Sequence, residues 1–160
     1  MSRFLLGALV AFFAVTGGAQ PESRSVLGER NPLLAAGADA IRAGRYDDGI
    51  RLTLQGLESE TVSPRLRSAA LANLCAAHAA NGAPDTALGF CAESLAIDER
   101  NWRAYSNRAF AYWLKEMYAE ASADIEAASA IAPEAPQVRQ IRGMINEKIL
   151  RPTVTMETRE

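Results

Sequence analysis

From Asn101 to Pro133 the apolar positions follow a helical period in two runs that meet at a short break around Glu116 and Met117. Small residues, Ala109, Ala121 and Ala128, fall where two helices would touch. Tyr105, Tyr112 and Tyr118 stand beside them, and Pro133 closes the unit. Thirty-four residues upstream the same columns hold Leu71, Leu74, Cys75, His78, Gly82, Ala87, Cys91, Ser94 and Leu95. Thirty-eight residues further upstream, AGRYDDGI puts Gly44, Tyr46, Gly49 and Ile50 in the turn and second-helix columns, with Gly56 and Leu57 after them. The four extra residues are expected in the linker around Ser59 to Arg67, where an insertion does least harm. This first copy lacks a large apolar residue at Ala36 and a closing proline at Thr61. The columns 49/87/121 and 56/94/128 stay small in all three copies. Chance periodicity in an ordinary helical bundle would not hold that register.

The unit resembles the tetratricopeptide repeat (TPR), a helix–turn–helix of about 34 residues, over roughly residues 30–135. The resemblance implies an all-α, right-handed solenoid of three repeats, at about 30–63, 68–101 and 102–135. Such units bury their apolar faces only by stacking on neighbours, and the last exposed face needs a cap. After the two prolines of PEAP, the residues Val138, Ile141, Ile145 and Ile149 form one apolar stripe among Arg139, Gln140, Arg142 and Glu147. The capping helix is therefore expected at about 136–150, completing a domain over 30–150.

The two ends read differently. Met1 to Arg3 carries one cation, Phe4 to Val15 is apolar, and Thr16 to Ala19 is small, the order of a secretory signal. Residues 1–19 are expected to be that signal, cut after Ala19; the apolar run is short for a membrane span. An uncleaved anchor or a buried helix is the alternative. Residues 20–29 read as a flexible lead-in and 151–160 as a disordered tail. Export would place the protein in a bacterial periplasm, with no stable membrane insertion after cleavage.

Charge and chemistry narrow the function. Seventeen basic residues face nineteen acids, for a formal net charge of −2, and no basic block stands out, which argues against a nucleic-acid partner. His78 is the only histidine and the cysteine pair lacks CxxC spacing, so no zinc site is expected. There is no Gly-rich phosphate loop and no GxSxG. A Cys75–His78 dyad would face the core, out of reach of substrate. The chain reads as a non-enzyme without cofactor.

The resemblance implies that the first helix of each repeat lines the concave side, and helical spacing then picks out its groove-facing residues. The groove-facing positions are then Asn31, Leu34, Ala35, Ala38 and Arg42; Ala69, Ala72, Asn73, Ala76 and Ala80; and Arg103, Ser106, Asn107, Phe110, Trp113 and Leu114. This surface has two arginines and no carboxylate. The acids Asp47, Asp48, Glu58, Glu93, Asp98, Glu120, Asp124 and Glu126 fall on second helices and turns. The alanines leave room for a bulky partner side chain, and Phe110 and Trp113 offer the aromatic area common at binding hot spots; packing of Trp113 on the cap helix is the alternative. Asn73 and Asn107 occupy one column a repeat apart, and an amide both donates and accepts. The resemblance implies that they hold the backbone of an extended peptide. In peptide-binding relatives a carboxylate clamp adds a Lys and an Asn on the first repeat, where this chain has Leu34 and Ala38. It adds two cations on the third, where only Arg103 fits and Asn107 takes the other place. Recognition of a chaperone C-terminal tail is accordingly not expected. The reading is a peptide- or protein-binding module using Asn73, Arg103, Asn107, Phe110, Trp113 and Arg42. The alternative is a structural subunit of a cell-envelope assembly.

Cys75 and Cys91 lie in the first and second helices of the second repeat, in columns that face each other across an antiparallel pair turning near Gly82. In an oxidising compartment they are expected to form a disulfide. Two buried free thiols are the alternative.

Overall fold

A computed structural model describes residues 31–150; the expected signal, lead-in and tail lie outside them. Seven α-helices and no strand occur among the described residues: α1 Pro32–Arg42, α2 Tyr46–Leu57, α3 Pro64–Ala80, α4 Pro84–Ile97, α5 Trp102–Leu114, α6 Tyr118–Ile131 and α7 Pro136–Leu150. They form three hairpins, α1–α2, α3–α4 and α5–α6, each stacked on the next through its first helix, with α7 against α5 and α6. This is an all-α helical repeat solenoid. No helix among the described residues is long and apolar enough to cross a membrane.

The local sequence explains where the helices begin. Asn31 Oδ1 accepts from the amides of Leu33 and Leu34, Ser63 Oγ from that of Leu66, and Asn101 Oδ1 from that of Ala104. Each satisfies orphan donors at the start of a first helix. The second helices lack such caps and run straight out of tight turns. Those turns pass through the left-handed region at Gly44 (φ 74°), Gly82 (φ 80°) and Glu116 (φ 60°).

The four-residue insertion is not accommodated as linker alone. α3 starts at Pro64 and carries an additional N-terminal turn. Leu66 in that turn is buried with Leu34 and Ala70. An apolar residue at helical spacing ahead of Ala70 makes extending the helix more favourable than looping out. The apolar stripe of α7 also ends early. Val138, Ile141 and Ile145 are buried, whereas Ile149 is 50% and Leu150 76% exposed.

Contact within each hairpin rests on the small columns. Ala87, Ser94, Ala121 and Ala128 are wholly buried. In the first repeat the columns are all glycine and the helices come closer still. A Cβ on Gly37 would lie 2.3 Å from Thr53 Oγ1, one on Gly49 2.4 Å from Ile41 Cγ1, and one on Gly56 2.6 Å from Leu34 Cδ2. Ala36, which lacks the bulk expected in its column, is exposed and takes no part in this contact. In the second repeat the facing positions are bonded: Cys75 and Cys91 form a disulfide, Cα to Cα 5.3 Å, wholly buried.

Candidate peptide-binding groove

The first helices α1, α3 and α5 and the start of α7 lie side by side along the array. The amide of Asn73, half-buried on α3, makes no hydrogen bond among the described residues. Ala69 and Ala76, one turn to either side on the same helix face, are also half-buried. Arg103 is exposed at the start of α5, its guanidinium carbon 4.2 Å from the centre of the Trp102 ring. It has no carboxylate partner among the described residues. Partial loss of hydration lowers its pKa below the ordinary arginine value, yet arginine remains charged. A cation stacked on an aromatic face and free of counter-charge is an anion-accepting group.

Phe110 and Trp113 are stacked, ring centroids 6.1 Å apart and planes 14° apart, and both are partly buried. Phe110 bridges the core of the second repeat and that of the third. Trp113 packs into the cluster that holds Val138, Ile141 and Ile145. Its Nε1 is buried without a partner. Trp113 is therefore tied into the packing between α5 and α7. Arg42 is exposed at the far end of α1 and ion-paired with Asp39.

Several positions expected in the groove are elsewhere. Asn107 is only 7% exposed. Its Nδ2 donates to Ala72 O at 2.8 Å, and its Oδ1 accepts from Gln137 Nε2 at 2.6 Å. The amide links three stacked first helices, so it is a fold-forming group and not a free ligand for a peptide backbone. Leu34, Ala72 and Ser106 are likewise buried. Asp124 does not join the outer acids. It is buried and takes a two-pronged ion pair from Arg108, both distances 2.7 Å. That bond raises the pKa of Arg108 despite its burial.

Sequence reasoning missed three devices. The first is Gln137, the partner of Asn107. The second is the Arg108–Asp124 pair. The third is a buried cluster in which Ser68 Oγ donates to Ser94 O at 3.0 Å and Ser94 Oγ to Ser68 O at 2.8 Å. Asn101 Nδ2 there donates to both hydroxyls, at 3.0 and 3.1 Å. Arg108 and Asp124 were findable, since a cation and an acid at apolar columns of facing helices must pair if buried. His78 lies against Phe90, ring centroids 5.1 Å apart. No group of three His, Cys, Asp or Glu is placed to hold a metal among the described residues.

No protein-family model matches the chain. Over 110 residues it is 29% identical to DnaJ homolog subfamily C member 3 of Gallus gallus, covering 69% of this chain and 22% of that protein. It thus spans about a fifth of the length of the curated relatives it matches. Among solved structures, the P58(IPK) TPR domain superposes with a TM-score of 0.62 at 26% identity, over 74% of this chain and 34% of that one. The first TPR domain of Spaghetti (RPAP3), bound to the HSP90 peptide SRMEEVD, superposes with a TM-score of 0.62 at 21% identity, over 74% and 91%. Cns1, an Hsp90 co-chaperone from Saccharomyces cerevisiae, gives 0.65 at 21%, over 74% and 38%.

Proposed function

We propose that this tetratricopeptide repeat protein is a non-catalytic interaction module that holds an extended peptide or protein segment in its concave groove. The observation that carries the reading is the pair of unspent polar groups on that side: the Asn73 amide and the Arg103 guanidinium. Two polar anchors beside a small-residue helix face suit a backbone and one acidic side chain. A solved neighbour of the same fold is bound to a chaperone peptide. In this chain Leu34, Ala38 and the committed Asn107 replace clamp residues, so the preferred ligand is an internal acidic segment and not a terminal carboxylate.

Peptides selected from a random display library test it. Asn73→Ala with Arg103→Glu should weaken their binding about tenfold or more, at about 0.5–1.5 kcal/mol per lost hydrogen bond and more for the charge, with an unchanged unfolding midpoint. Equal binding by the double variant would overturn the groove assignment.

We further propose export to the periplasm, supported by the charged–apolar–small order of residues 1–19 and by a disulfide suited to an oxidising compartment. The periplasmic fraction should contain a chain whose intact mass begins at Gln20. A chain retaining Met1 in the membrane fraction would count against it. The second reading, an assembly subunit, is favoured by one observation, the exposed Ile149 and Leu150 at the array's end.

A further inference from the structure

α7 occupies more than a cap position. By its place in the stack, it stands where the first helix of a fourth repeat would. Cys75, Asn107's neighbour Ala109, and Gly143 follow one another at thirty-four-residue intervals. α7 packs on α5 as α5 packs on α3, and the Gln137–Asn107 bond joins the two helices. In every complete repeat this column carries the close contact with the second helix. Gly37 meets Thr53, Cys75 is bonded to Cys91, and Ala109 is wholly buried in a cluster with Ile125. In α7 the second helix is missing: a Cβ on Gly143 would have no atom within 4 Å. Glycine in the middle of an exposed helix is unfavourable, and here nothing within the described residues compensates for it. The face it centres carries Arg139, Asn146 and Leu150 at helical spacing, all exposed.

We infer that a second copy of this chain fills the seat, its α7 packing antiparallel to the first across a two-fold axis at Gly143. The second helix of a repeat runs antiparallel to the first, so this direction reproduces the native contact. The sequence around Gly143 is self-complementary under that symmetry. Arg139 and Glu147 lie four residues to either side, so each arginine meets the partner's glutamate, twice. Gln140 and Asn146 lie three to either side and pair amide with amide. Pro136 and Leu150 lie seven to either side and pair apolar with apolar. In the single chain Arg139 donates to Glu134 Oε2 and to Glu134 O, both at 3.0 Å and both exposed, so it would exchange that exposed pair for the partner's glutamate. A closed two-fold pair also stops growth, as an isologous contact must.

Sedimentation equilibrium of the purified protein over a concentration series tests this. The wild type should be a reversible dimer. Gly143→Gln inserts bulk into the seat with a better helix former; it should raise the unfolding midpoint yet abolish the dimer. Gly89→Ala changes the other helical glycine with open space around it; it should raise the midpoint and leave the dimer intact. Arg139→Glu should weaken dimerisation about tenfold, by losing two pairs and creating two repulsions. Adding Glu147→Arg should restore it. A monomer at every concentration overturns the inference. So does a dimer indifferent to Gly143→Gln, or a charge swap without rescue.

Discussion

Glu116 takes φ 60° at the turn position where glycine stands in the other two repeats, Gly44 at 74° and Gly82 at 80°. A left-handed conformation costs an L-residue roughly 1–2 kcal/mol, and glycine returns part of that gain through its freer unfolded chain. Glu116→Gly should therefore stabilise the domain by about 0.5–1 kcal/mol, read as a higher urea midpoint at an unchanged slope. His78 gives a second prediction at this scale. Partial burial lowers its pKa by disfavouring the imidazolium. The unfolded chain thus binds the proton more readily. The associated stability is full above the unfolded value of about 6.5 and is lost as pH falls below it towards the folded value. The pH profile of His78→Gln should lack that fall, which thermal unfolding at pH 5 and pH 7.5 measures.

Between paired helices, one seat is filled in three chemical ways. Gly37 faces Thr53 by close approach, Cys75 is bonded to Cys91, and Ala109 shares its buried cluster with Ile125. The columns were readable in advance because steric need at a helix contact restricts the residue type, whatever fills the other side. The role of Asn107 was not, whereas the packing of Trp113 on the cap helix stood as one of two readings and is the one observed. A column gives a place on a helix face, but not the partners that wait there. One partner of Asn107 is a backbone carbonyl, which leaves no mark in the sequence, and the other, Gln137, sits on the cap helix. The extra turn of α3 escaped for a related reason: Leu66 reads as linker until Leu34 is known to lie beside it. The disulfide closes a sequence separation of 16. Reduction, or Cys75→Ala with Cys91→Ala, should lower stability by about 3 kcal/mol. Urea unfolding with and without reductant measures the difference. Two freely labelled thiols in the unfolded, unreduced chain would show that the bond does not form.

At the scale of the whole array, successive hairpin turns are laced together. Asn81 Nδ2 donates to Asp47 Oδ1 at 3.0 Å, and Lys115 pairs with Asp85. These exposed links set register more than stability. Stability between units comes from stacking, which is transmitted only to nearest neighbours. Truncation after Glu134 removes the buried Val138, Ile141 and Ile145, each worth roughly 1.5–3 kcal/mol when fully buried, and leaves Asn107 Oδ1 without Gln137. The loss should fall on α5 and α6, with the α1–α4 amides still protected in hydrogen exchange. Uniform loss of protection along the chain would contradict nearest-neighbour behaviour. The three-repeat architecture and its cap were visible in the periodicity, because stacking demands the same pattern in each unit. The accessible part of the groove was only half visible, because stacking also consumes polar groups that would otherwise face a ligand.

The Cys75–Cys91 bond has a mechanical consequence as well. A solenoid pulled from its two ends yields one hairpin after another, and each released hairpin lengthens the chain. Across the middle hairpin the covalent link carries the load, so the 16-residue separation it spans cannot pay out. At about 3.3–3.6 Å per extended residue, roughly 50 Å of reach stays locked until the bond is cut. A partner tugging on either end can strip the outer repeats, but it always finds the middle hairpin tethered.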